Sequence, residues 1–134
     1  MGQQQLLLIV LGVIIVGIAV VVGINLFNAN AEEAAKDGVV SDCTNLGAMA
    51  QQYYKKPASM GGGANTFDGT GANPPVAPWA IPANLLQTAN GNYSADVTAQ
   101  VVTLTGTPLG NSGYTFEVTT TVTPLTITTT IADN

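Results

Sequence analysis

The chain has no arginine and no histidine, three lysines, and one cysteine among 134 residues. Each shortage closes off a class of function. Nucleic-acid binding wants a basic stripe, which Lys36, Lys55 and Lys56 cannot supply against a net charge of −5. Without histidine the chain lacks the side chain best suited to proton transfer near neutral pH and the commonest metal ligand. Cys43 has no second cysteine to pair with inside the chain and reads as a small buried hydrophobe. No CxxCH occurs, which excludes covalently attached haem, and the aromatics (one Trp, four Tyr, three Phe) are scattered rather than stacked in sequence. No cofactor, metal or nucleic-acid partner is expected. Charged residues make up 8% of the chain, against about 25% in ordinary soluble domains. So few charges leave little to keep a surface apart from its neighbours, and they point to extensive self-burial.

What the chain does have is an unbroken apolar run over residues 6–27, LLLIVLGVIIVGIAVVVGINLF, whose first polar side chain is Asn25. Roughly 20 such residues make a helix that crosses the hydrocarbon of a bilayer. The run is longer than the core of a signal peptide, about 7–15 residues, and no basic region precedes it. It reads as a helix that must be buried, either in lipid or among copies of itself. Gly12, Gly17 and Gly23 punctuate it. Small residues let helix backbones approach closely, although each costs about 1 kcal/mol of helix stability relative to alanine. The candidate assembly residues are Leu6, Leu7, Ile9, Val10, Val13, Ile14, Gly17, Ile18, Val21 and Ile24. The acidic stretch that follows, with Glu32, Glu33 and Asp37 against Lys36, marks the exported side.

Four regions are expected. Residues 1–28 form the apolar helix. Residues 29–56 continue it as an amphipathic helix, because Val39, Cys43, Leu46, Ala50 and Tyr53 recur at spacings that share one helical face. Lys55 and Lys56 suit the negative end of the helix dipole, and Pro57 stops the helix. Residues 57–92 are rich in Gly, Pro and Asn. They read as a long loop with a flexible turn at 60–64, pinned by Phe67, Trp79, Ile81 and Leu85. Residues 93–134 read as antiparallel β-structure, starting with a Val- and Thr-rich strand over 93–104. Phe116, Val118, Thr120 and Val122 then alternate with Glu117, Thr119 and Thr121, and Leu125, Ile127, Thr129 and Ile131 with Thr126, Thr128 and Thr130. Period-two patterning marks a sheet with one covered face. The fold class is therefore α+β: a long N-terminal α-helix, apolar then amphipathic, packed by a Thr-rich antiparallel sheet. Phe116, Val118 and Ile127 are expected to meet Val39, Cys43, Leu46, Ala50 and Tyr53 in its core.

The smaller motifs are bland. Glu32 and Glu33 beside Lys36 read as a solvated collar. Residues 68–73 lack the carboxylate density of a calcium loop. Gly61–Gly63 follows no strand and precedes no helix, which argues against a phosphate loop. Asn92-Tyr93-Ser94 is a glycosylation sequon by pattern, and the threonines are possible acceptors of O-linked sugars.

This order of parts, with the stretch AQQYYKKP–MGGGANTF at residues 50–67, resembles a type IV pilin or pilin-like protein. The resemblance covers the whole chain in architecture, and in sequence it is specific over about the first 30 residues. It implies a structural, non-enzymatic subunit of an extracellular filament, a helical homopolymer drawn from an inner-membrane pool, with a processed and methylated N-terminus. It also implies docking between Met1 of one copy and the fifth residue of another. That position carries a glutamate in the family and Gln5 here; if processing follows Gly2, the position falls on Leu7. An archaeal-type pilus subunit, a minor pilin and a single-pass anchored adhesive protein are the alternatives.

Overall fold

The computed structural model describes residues 2–133. The chain has one long N-terminal helix, α1 (Gly2–Lys55), followed by a four-stranded antiparallel sheet, which is the α+β class expected. It divides into two compact units, Met1–Ala34 and Ala35–Asn134. The described residues of the first are helix alone. The second contains the remainder of α1, the loop and the whole sheet.

Within the second unit, β1 (Gly91–Val97), β2 (Val102–Pro108), β3 (Phe116–Val122) and β4 (Ile127–Asp133) follow one another in a meander, each paired antiparallel with the next. The alternating pattern sets one face of β1, β2 and β3 inward, while on β4 Ile127 and Thr129 are only partly covered and Ile131 is exposed. Tyr93, Val102, Leu104, Phe116, Val118 and Val122 are buried on the inward face, and the helix contributes Val39, Cys43, Leu46, Gly47 and Ala50. Tyr53 and Ile127 lie partly buried against this core. Thr120 falls on the inward side of β3 and is fully buried. Its hydroxyl meets that of Thr129 on β4 at 3.1 Å, so the polar atom is satisfied at little cost.

The helix lies close to the sheet because one strand position has no side chain. A Cβ at Gly106 on β2 would stand 2.6 Å from Val39 Cγ1 and 3.0 Å from both Cys43 Sγ and Tyr93 Cε1. A hydrogen in place of a side chain on the crowded side of the strand thus allows the helix its seat.

The loop is ordered by backbone bonds to the end of α1. Gly63 N–H donates to Tyr53 O at 2.8 Å, Ala64 N–H to Lys56 O at 3.1 Å, and Asn65 N–H to Tyr54 O at 2.8 Å. These groups serve carbonyls that a helix end leaves unpaired. The expected flexible turn at 60–64 is therefore a capping structure, preceded by a single 3₁₀ turn at Ala58–Met60. Gly63 is required in it, since a Cβ there would fall 1.8 Å from Thr66 O. Phe67 is fully buried; it donates its N–H to Ala99 O and accepts from Trp79 N–H, and its ring lies 4.9 Å from that of Tyr54. Trp79 and Ile81 are also buried, while Leu85 is only partly so.

Two strand expectations change. The stretch 93–104 is two strands, broken where Thr98 N–H and hydroxyl both donate to Val101 O. A threonine can close such a turn without the glycine or proline that would have announced it. Leu125, expected on the covered face, is 91% exposed. It sits at the tip of the 123–126 turn, where Thr123 and Thr126 bond to each other and direct the intervening residues outward.

Replacing Gly106 with valine should destabilise the second unit by about 1–3 kcal/mol, because it overfills a tightly packed seat. Gly110→Ala is the control, since nothing lies within 4 Å of a Cβ there. Urea unfolding of the full chain in detergent, followed by Trp79 fluorescence, checks both; equal midpoints for the two variants would count against the close approach.

Candidate assembly surface and the Asp42 cluster

In the first unit none of the described residues is buried. The exposed large apolar side chains of residues 6–27 range from 48% exposure at Val10 to 80% at Phe27. All the expected assembly residues (Leu6, Leu7, Ile9, Val10, Val13, Ile14, Gly17, Ile18, Val21 and Ile24) are exposed. So are Leu8, Leu11, Ile15, Val16, Val20, Val22 and Leu26. The apolar surface is therefore a full cylinder and not a seam. A helix that is apolar all round belongs inside a protein or a membrane, and this one is long and apolar enough to cross a bilayer. A Cβ at Gly12, Gly17 or Gly23 would meet nothing within 4 Å, so no contact inside the chain calls for glycine at these positions. Gln5 is exposed on the same helix. Met1, its expected docking partner in another copy, lies outside the described residues. Asn92 is exposed on β1, while the next residue of the sequon, Tyr93, is buried.

The second unit brings together a group that the sequence reading left apart. Asp42, on α1, accepts three hydrogen bonds at a single carboxylate oxygen: from Tyr93 OH at 2.5 Å, Thr88 Oγ1 at 2.7 Å and Asn90 Nδ2 at 3.1 Å. These partners follow Asp42 by 51, 46 and 48 residues, so no local pattern could reveal them. Beside them lies a cavity of about 110 Å³ lined by Asp42, Asn45, Leu46, Leu85, Thr88 and Tyr93. Partial burial pushes the Asp42 carboxyl up, but the bonds from Tyr93, Thr88 and Asn90 together outweigh it and hold the group below the usual aspartate value. Burial and the bond to Asp42 push the Tyr93 hydroxyl well up. Burial also pushes the Cys43 thiol up to about 11, with the Thr120 hydroxyl opposing and the Asp42 charge adding to the rise. A thiol so placed is not a nucleophile. The cluster thus contains a stable anion whose donors are fixed, and it ties the 88–93 segment to the helix. No group of His, Cys, Asp and Glu suited to a metal ion occurs among the described residues.

No protein-family model matches the chain, and neither a curated protein nor a solved structure gives a match.

Asp42→Ala should cost roughly 1–3 kcal/mol by leaving Tyr93, Thr88 and Asn90 without their acceptor, toward the lower end because water reaches the site. The pH dependence has a definite sign. A carboxyl whose native value is depressed contributes its stability above the unfolded aspartate value, and that contribution is lost as pH falls through the lower native value. Asp42→Asn should remove that part of the acid-side loss in a denaturation series from neutral to strongly acidic pH; an unchanged profile would rule the tie out.

Proposed function

We propose that the chain is a structural subunit of an extracellular filament, polymerising through residues 6–27 from a membrane-inserted pool. The observation that carries this reading is the apolar cylinder, exposed on every side in the single chain. Such a surface is satisfied equally by lipid tails and by the same surface on other copies. Lipid serves as the store, and neighbouring helices replace it on assembly. Outside lipid, clustering the cylinders removes hydrocarbon from water at about 25 cal/mol per Å². This contribution is far larger than any single polar contact, so assembly tolerates Gln5 where the family resembled has a glutamate. A neutral amide contributes only an ordinary hydrogen bond to a terminal amine, weaker than a carboxylate would. The resemblance to type IV pilins, the scarcity of charge and the absence of convergent catalytic groups in the sequence support a structural role over an enzymatic one.

Shearing cells that express the chain and imaging the supernatant tests the proposal. Filaments that contain the chain are expected. Chain recovered only by detergent extraction, with no filaments, would favour a single-pass anchored protein. Val16→Asp and Ile18→Asp should each abolish assembly, because an unpaired charge in a dry bundle costs several kcal/mol. Glu33→Ala should assemble normally; filaments from either aspartate variant would refute the helix core.

A further inference from the structure

The two edges of the sheet are treated differently. The outer edge of β1 is occupied by the chain itself over residues 91–93. Tyr93 N–H donates to Leu86 O at 2.9 Å, Thr88 N–H donates to Gly91 O at 2.9 Å, and Gln87 bridges Asn92. Among the described residues, the outer edge of β4 has no strand beside it. β4 pairs residue for residue with β3 from Val122↔Ile127 to Phe116↔Asp133, with no bulge to twist it away. Its sequence, ITTTIAD, contains no lysine and no proline. Natural edge strands are normally blunted by one of these devices, because a bare edge pairs with other chains. The charge distribution points the same way. In a molecule of net charge −5, β4 has one carboxylate, Asp133, and Lys36 Nζ stands 2.6 Å from it. Ile131 is left 45% exposed on this strand.

We propose that the second unit pairs with a second copy of itself, β4 against β4 and antiparallel, to make one continuous eight-stranded sheet across a two-fold axis. Because the same edge meets itself across the axis, the pairing uses up the β4 edge of both copies and closes at two. Pairing centred on Thr130 sets Asp133 against Ile127 and Thr128 against Ala132, so no like charges face each other. Both strands are rich in threonine and isoleucine, which favour extended pairing. The screw symmetry of one polar filament does not supply such a two-fold. The pair therefore joins copies in different filaments, and lateral bundling follows. That consequence rests on the filament reading; the pairing itself does not.

The test uses the full chain in detergent with Val16→Asp, which removes helix-driven assembly and leaves β4 untouched. A spin label on Thr130→Cys reports the distance between copies, while Cys43 is buried and escapes labelling. Across a paired edge the two backbones stand roughly 5 Å apart, so strong dipolar coupling that grows with protein concentration is expected, and Ile131→Lys should abolish it. Absence of coupling would overturn the proposal, as would coupling unchanged by Ile131→Lys. Hydrogen exchange on the chain without label or edge substitution gives a second reading: the β4 amides directed away from β3 should become protected as concentration rises, and unprotected amides at every concentration would also overturn it. Because the helix is disabled throughout, failure here leaves the filament reading standing, and loss of filaments elsewhere leaves this pairing standing.

Discussion

An apolar cylinder of twenty or so residues cannot remain in water, and the other properties of the chain follow from where it goes. The side chains of residues 6–27 are exposed on every face of the helix, so coverage on one side alone leaves most of the surface wet. Lipid surrounds a helix completely, and so does a bundle of like helices. Both environments reject charge, and none occurs in the run. The glycines fit this view. In the single chain they adjoin open space and only weaken the helix, so any benefit they bring arises when other atoms pack against them.

The second unit follows an opposite rule. Its helix is apolar on one stripe only, and the sheet covers that stripe, with Val39, Cys43, Leu46 and Ala50 buried against strands. Space and polarity are both settled locally. Gly106 leaves out the side chain that would hold the helix off, Thr120 finds Thr129, and Asp42 gathers three donors from Thr88, Asn90 and Tyr93. Few charges are spent in doing so. Lys36 lies 2.6 Å from Asp133 and 5.8 Å from the centre of the Phe116 ring, which makes one cation serve an ion pair and an aromatic face together.

Much of this was legible from periodicity. The run at 6–27, the stripe at Val39, Cys43, Leu46 and Ala50, and the alternation along 116–122 each follow from the geometry of one element, and no distant partner is needed to read them. What escaped notice depended on partners far along the chain. In the sequence Asp42 is one polar residue between stripe positions, and its partners Thr88, Asn90 and Tyr93 are more than forty residues away. The glycines at 61–63 suggested flexibility, since nothing local shows that the next residues cap the helix. Leu125 matched the alternation but lies in a turn set by two threonine side chains. The sequence suggests ten assembly residues, yet exposure extends all around the helix. Selecting a seam requires a neighbour, and one sequence contains none.

The most direct measurement is of what touches the cylinder in material sheared from cells that express the chain. A photoreactive side chain placed at Ile14 in that material, irradiated without prior extraction, records its neighbours covalently. The account predicts adducts between copies, joined from Ile14 to positions within residues 6–27 of another chain. Adducts to lipid alone, with no copy joined to another, would contradict it.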